Sequence, residues 1–192
     1  SLKTGITVDE EIEQEIWETN VRAVKGLYND NGDYQILENY PYRYYGIGFQ
    51  ILSQPIQYPI KILIKKYQNV DDHGAQLLSK HFTIFLIFFI SGIFFYKIIK
   101  KINNNRSFSY LFTSIYMLYP YLLGHGFYNP KDMPFLGVWI ICTFISFLLS
   151  ENFLKKDQLK LSILTVLALS TGYLISIRIS GILIFIQYFI TF

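Results

Sequence analysis

The sequence predicts an all-α chain: a polytopic bundle of membrane-spanning helices over residues 83–192, preceded by an external, mixed but mainly helical loop domain over 1–82. Three observations predict it. Apolar residues make up 52% and aromatics 18%, while charged residues are only 16%, well below the roughly 25% of soluble domains. Charge is segregated: residues 1–82 carry 11 acidic and 8 basic side chains, residues 83–192 carry 3 acidic and 9 basic. Finally, apolar runs recur at 82–99, 107–123, 134–150, 161–177 and 179–192.

Spanning a hydrocarbon core of roughly 30 Å takes about 20 helical residues, about 17 at the short end. The first three runs qualify with their flanking aromatics. Residues 161–192 form a near-continuous apolar stretch broken only by Arg178. At 1.5 Å per residue such a helix would be roughly 48 Å long, too long for one upright span. A reversal near Ser176–Ser180 is expected, with the last span truncated. About five spans result.

Short loops set the orientation. Lys97, Lys100, Lys101 and Arg106 cluster in one loop without an acid, and Lys155, Lys156 and Lys160 populate another beside Glu151 and Asp157. The positive-inside rule makes both cytoplasmic. Residues 1–82, the loop 124–133 and the turn at Arg178 then share the non-cytoplasmic side of a multi-pass membrane protein. This assigns Asp9, Glu10, His125, Lys131, Asp132 and Arg178 to one face.

Within 1–82, Ile12, Ile16, Val21 and Val24 give residues 8–28 a helical period, and Thr7-Val-Asp-Glu10 fits a capping box at its start. Asn29-Asp-Asn-Gly-Asp33 reads as a turn. The Tyr-rich Tyr40–Gly46 reads as loop or juxtamembrane surface. Ser53–Lys66, with two prolines and a basic amphipathic run, fits a helix lying on the membrane.

Several classes are excluded. One cysteine, Cys142, rules out a disulfide framework or thiolate metal site within the chain. The basic residues end apolar runs and form no stripe, so nucleic acid is not expected. The three histidines lack ligand spacing; a divalent metal held by carboxylates stays open but is not indicated. His73 and His81 flank the first run and read as surface or interface residues. No secretory signal peptide is visible. The chain opens on Ser1 without Met and stops inside an apolar run, so a fragment of a longer membrane protein is expected.

The candidate chemistry lies in two segments and a turn. Asp9 and Glu10 form a carboxylate pair suited to general-base work on a hydroxyl; equally, Glu10 completes the capping box and Asp9 complements a positive helix end. In Leu123–Phe135, His125, Asn129, Lys131 and Asp132 sit between two apolar runs, where charge is costly and functional by default. Asn129-Pro130 marks a turn, and Asp132 before Pro134 suits an N-cap. Lys131 at a helix N-terminus suits an anionic head group. Arg178 either snorkels to the interface or holds a phosphate with its two-pronged guanidinium.

Three motifs carry a resemblance: Gly-Ile-Thr-x-Asp-Glu over Gly5–Glu10, Gly-His-x-Phe-x-Asn-Pro-Lys-Asp-x-Pro-Phe over Gly124–Phe135, and Gly-x-x-x-x-x-Arg-x-Ser-Gly over Gly172–Gly181. Together they resemble the polytopic lipid-linked-sugar glycosyltransferases, family 39, the dolichyl-phosphate-mannose protein mannosyltransferase-like enzymes of the GT-C fold. The resemblance implies sugar transfer from a polyprenyl- or dolichyl-phosphate donor to an acceptor hydroxyl on the non-cytoplasmic side of a bacterial inner membrane or endoplasmic reticulum. It implies that Asp9 activates the acceptor with Glu10 in support, that Asp132 matches a second acidic position, and that Lys131 and Arg178 neutralise the departing phosphate. Membrane lipids are the other expected partner. Two departures stand out: Arg178 replaces the Lys that protein mannosyltransferases tend to carry, and the helices flanking this region in the family are absent from the sequence. A transporter or flippase of lipid-linked or anionic solutes, or a non-catalytic remnant, are the alternative readings.

Overall fold

A computed structural model describes residues 8–29, 33–154 and 160–192, with backbone only for Val8, Asp9 and Asp33. The Asp9 carboxylate, the Gly5–Thr7 part of the first motif, residues 30–32 of the expected turn, and Lys155, Lys156 and Asp157 therefore lie outside the described residues. Those residues form helices joined by turns, with no strand among them. The order is α1 (Val8–Asn29), a 3-10 helix (Asp33–Asn39), α2 (Gly48–Tyr67), α3 (Asp72–Asn103), α4 (Arg106–Leu118), α5 (Pro120–Tyr128), α6 (Asp132–Leu154), α7 (Leu161–Ile177), a 3-10 helix (Ile179–Leu183) and α8 (Ile184–Thr191).

α3 is the spine, packing on α2, α4, α5 and α6. The Asp71 side chain accepts the Gly74 N–H at 3.0 Å and starts it; Asn104, in the left-handed conformation at φ 50°, ends it. Among the described residues, α3 and α6 alone are both long and apolar enough to cross a membrane. They hold the runs 82–99 and 134–150. The run 107–123 is divided at Tyr119, whose backbone is extended (φ −60°, ψ 118°), because the following Pro120 disfavours α geometry before it and lacks an N–H. The two pieces still run together along α3: Ser91 bonds Tyr116 at 2.7 Å, and Phe127 stacks on Phe85 at 5.1 Å. The runs 161–177 and 179–192 form shorter apolar helices.

Close packing is made by small residues. A Cβ at Gly137 of α6 would come within 3 Å of Ile87 on α3, and one at Gly126 of α5 within 3 Å of Phe88. Where the surroundings are as apolar as the interior, such backbone approach, and not burial as such, holds helices together. The core around Ile84, Phe88, Met133, Val138 and Cys142 continues to Leu174, Ile177 and Ile184.

α7 ends at Arg178, whose extended backbone (φ −146°, ψ 133°) breaks the helix. The 3-10 turn folds back so that Gly181 sits against the Leu174 and Ile175 backbone. α8 then returns beside α7 and α6, tied by Thr171 to Tyr188 at 2.7 Å and by Trp139 Nε1 donating to Gln187 Oε1 at 2.8 Å. At the end of the bundle away from Arg178, Lys97 lies over the Phe94 and Phe144 rings, and Lys101 pairs with Glu151.

α2 and α3 form a hairpin clasped by Lys61 and Lys65, which meet Asp72 at 2.7 and 2.6 Å. Asp72 lies ten residues ahead of the apolar run. Its hydrogen bonds from Lys61 and Lys65 lower its carboxyl from 3.8 to about 2. A depressed carboxyl stabilises the fold fully above its unfolded value and loses that contribution as pH falls through the folded one. The hairpin is therefore expected to loosen between about pH 4 and pH 2, an effect weakened by salt. Asp72→Asn should flatten this part of the acid melting profile; an unchanged profile would refute the clasp.

Candidate functional site

The site begins with α1, whose period places Glu10 and Glu13 on the same face three residues apart. Both are buried, Glu10 at 2% exposure and Glu13 at 5%. Buried carboxylates require partners, and each finds one on a different element. His81 of α3, fully buried, brings Nε2 to 3.2 Å from both Glu10 carboxylate oxygens. Glu13 accepts a hydrogen bond from the Lys131 ammonium at 2.9 Å. His81, expected at the surface or an interface, is instead fully buried, where Glu10 and Gln14 of α1 meet His81 and Lys80 of α3. His73, by contrast, is exposed.

The α5–α6 corner supplies the next group. Asn129 is its organiser. Its Oδ1 accepts the Lys131 and Asp132 backbone N–H groups at 3.0 and 2.8 Å, while Nδ2 donates to Asp132 Oδ2 at 3.1 Å and to His125 Nδ1 at 3.0 Å. The capping acceptor of α6 is therefore Asn129, and not Asp132 as the Asp-x-Pro pattern suggested. Asp132, free of that task, pairs with Arg178 across the α7 turn. Removing the acceptor with Asn129→Ala is expected to cost about 1–2 kcal/mol, read as a lower melting temperature. Asn129→Ser, which keeps a capping oxygen without setting a second carboxylate against Asp132, should lose less; equal losses would contradict the capping role.

Tyr45 closes the seam. The Tyr40–Tyr45 turn stacks edge to face through Tyr40, Tyr42 and Tyr45, and the Lys131 ammonium sits 3.9 Å from the Tyr45 ring centroid. The turn is anchored at both ends. Tyr40 donates to Glu15 at 3.2 Å, and partial burial, with Glu15 nearby, raises its phenol above the ordinary value. Gly46 and Gly48 press on the Ser176–Ile177 backbone.

A cleft of about 420 Å³ opens beside the seam between α1 and the start of α3, with Glu10, Glu15, Glu18, His73 and Lys80 among its lining residues. Lys80, 3% exposed, donates to Gln14 at 3.4 Å.

No family model, curated protein or solved structure matches the chain. The structure brings Glu10, Asn129, Lys131, Asp132 and Arg178 into one seam, with His125 held at its edge between Tyr121 and Tyr128. Only the backbone of Asp9 is described, one residue before Glu10 in α1. Such a seam offers carboxylates and two cations, Lys131 21% and Arg178 40% exposed at the side chain, which suits exchange of a carboxylate for a phosphate. Among the described residues no three His, Cys, Asp or Glu side chains group as metal ligands.

Sequence reasoning missed Glu13, His81, Lys80 and Tyr45. Glu13 carried a usable signal, its i, i+3 spacing from Glu10. His81 and Tyr45 carried none, because contacts 71 residues apart such as Glu10–His81 depend on how α1 crosses α3.

Proposed function

We propose that the chain is part of a membrane glycosyltransferase that moves a sugar from a polyprenyl-phosphate donor to an acceptor hydroxyl on the non-cytoplasmic side, in a multi-pass GT-C-like bundle. The observation that carries this reading is the seam itself: Glu10 with His81, Glu13 with Lys131, and Asp132 with Arg178, at one end of an apolar helical bundle. The opposite end carries Lys97, Lys100 and Lys101, the pattern of a cytoplasmic face.

In this reading the Asp9 carboxylate takes the proton of the acceptor hydroxyl, with Glu10 in support. The acceptor oxygen bonds to the anomeric carbon as the bond from that carbon to the phosphate oxygen breaks. Positive charge spreads over the sugar in passage, and the leaving phosphate keeps the electron pair. Lys131 and Arg178 receive that charge, while Glu13 and Asp132 hold the two cations in position.

The test supplies membranes carrying the full chain with a radiolabelled polyprenyl-phosphate hexose and follows release of polyprenyl phosphate. Asp9→Asn and Lys131→Ala should each lower release at least 100-fold, the scale of one lost general base or charge-stabilising donor. Full release by Asp9→Asn would sink the catalytic assignment. Sidedness is tested separately by cysteine labelling at Tyr44 and Asn105, which should react from opposite sides.

A further inference from the structure

α2 is inside out. At 3.6 residues per turn, Ile51, Leu52, Pro55, Ile56, Tyr58, Pro59, Ile62 and Leu63 share one half of the helix, and all are exposed. Ile51, Leu52, Ile62 and Leu63 each show at least 50% of their surface. The half that packs on the protein mixes Phe49 and the half-buried Ile60 and Ile64 with three polar residues, Gln50, Ser53 and Gln57, at 1%, 2% and 3% exposure. Gln57 donates to Ser53 Oγ at 2.7 Å, and Ser53 donates to the Gln50 carbonyl at 3.3 Å. Water as the outer medium would favour polar residues on the outward half.

We propose that this outer half of α2 is seated in the lipid–water boundary of the membrane, taking anionic phospholipid as its partner. Three observations choose that occupant. The face is apolar along its length, with Tyr58 in its middle, and ends in Tyr67 and the exposed Lys66, which lies over the Tyr67 ring at 5.5 Å, while Lys65 beside them is held by Asp72. Aromatic rings and lysines at the end of an apolar face match the head-group layer and its negative charge.

The prolines give the second observation and set the depth. Pro55 and Pro59 lie within the helix, and a proline cannot donate to the carbonyl four residues before it. The carbonyls of Ile51 and Pro55 therefore lack that helical donor, on the exposed side. In hydrocarbon, or in a dry contact with another protein, each would be costly; hydrated head groups satisfy both. Continuity is the third. α2 packs on α3 and α7, which expose Phe89 and Ile93, and Leu164 and Leu169, in the same way. Its apolar face thus extends a belt already present on the bundle. The Tyr-rich turn and Gly46, at the start of α2, are then held at the membrane surface, and the seam with them.

The inference does not depend on sugar transfer. Its test puts single nitroxide-labelled cysteines at Leu52, Ile56 and Leu63 in the full chain carrying Cys142→Ala, reconstituted in vesicles of phosphatidylcholine and phosphatidylglycerol. Labels at Phe89 and Ile93 report on α3, and a label at His73 reports on water. The expected result is several-fold greater relaxation by oxygen than by a water-soluble nickel chelate at Leu52, Ile56 and Leu63, with the reverse at His73. Nickel access at those three positions equal to that at His73 would overturn the proposal, showing a free aqueous face. Protection from both reagents would overturn it too, showing a second copy or another protein on α2. Leu52→Lys with Leu63→Lys should move the helix outward and raise nickel access at Ile56; no change would count against lipid seating.

Discussion

Gly46→Ala is expected to cost about 3 kcal/mol, the upper end of what overpacking does to a well-packed contact. An added methyl would lie within 3 Å of the Ser176 carbonyl oxygen and of the Ile177 carbonyl carbon and oxygen. All three are backbone atoms, so no side chain can rotate away. The strain falls on the joint between the Tyr-rich turn and the last turn of α7, and Arg178 follows immediately. The variant should therefore lose more than stability. Tyr45 should withdraw from Lys131, and Arg178 from Asp132. A thermal melt in detergent reads the first effect, and the chemical shifts of a labelled Lys131 side chain read the second. Gly124→Ala is the control, because nothing lies within 4 Å of its added methyl. As a helix-interior glycine it should gain about 0.5–1 kcal/mol on becoming alanine. If the two variants melted alike, the close approach at Gly46 would not exist.

His81→Leu is expected to be the other severe change. It withdraws one of the partners that hold the Glu10 carboxylate at 2% exposure. Breaking a buried pair by removing one member costs about 3–5 kcal/mol where both groups are charged, and about 1–3 kcal/mol as an unmade hydrogen bond. Both residues keep further contacts, which places the expectation near 3 kcal/mol. Glu10→Leu together with His81→Leu should recover part of the loss, since two apolar side chains of similar size need no partner. The four-variant thermodynamic cycle isolates the coupling. A double variant whose loss equals the sum of the two single losses would show that the residues do not act on each other.

Much of the architecture was legible because local signals and tertiary structure agree. The apolar period of α1, the length and composition of α3 and α6, and the charge at Arg178 within an apolar stretch all needed only nearest neighbours to read. The break at Tyr119 was legible in principle, since Pro120 disfavours helical geometry in the residue before it, but apolar content alone concealed it. The site was half legible. Lys131, Asp132 and Asn129 lie in one segment with an unusual charge density, which topology could place beside Glu10 and Arg178. The partner of each was not. Whether Asp132 caps its helix or binds Arg178 turns on Asn129 taking the capping role first, a competition among neighbours that composition cannot rank. The burial of His81 depends on how α1 and α3 meet, whereas the outward apolar face of α2 was legible in the amphipathic run Ser53–Lys66, and only the burial of Gln50, Ser53 and Gln57 beneath it was not.

The Glu13–Lys131 pair joins residues 118 positions apart, and Asp132–Arg178 joins residues 46 apart. These lengths impose an order of assembly. During synthesis α1 and α3 can meet early and bury Glu10 against His81, but Glu13 waits for Lys131. Asp132 must then wait until α7 has been made and has turned. The charge seam therefore closes only after Arg178 has been made, with α8 still to follow and dock on Trp139 and Thr171. A chain arrested before Arg178 would leave Asp132 without this partner and the site unfinished.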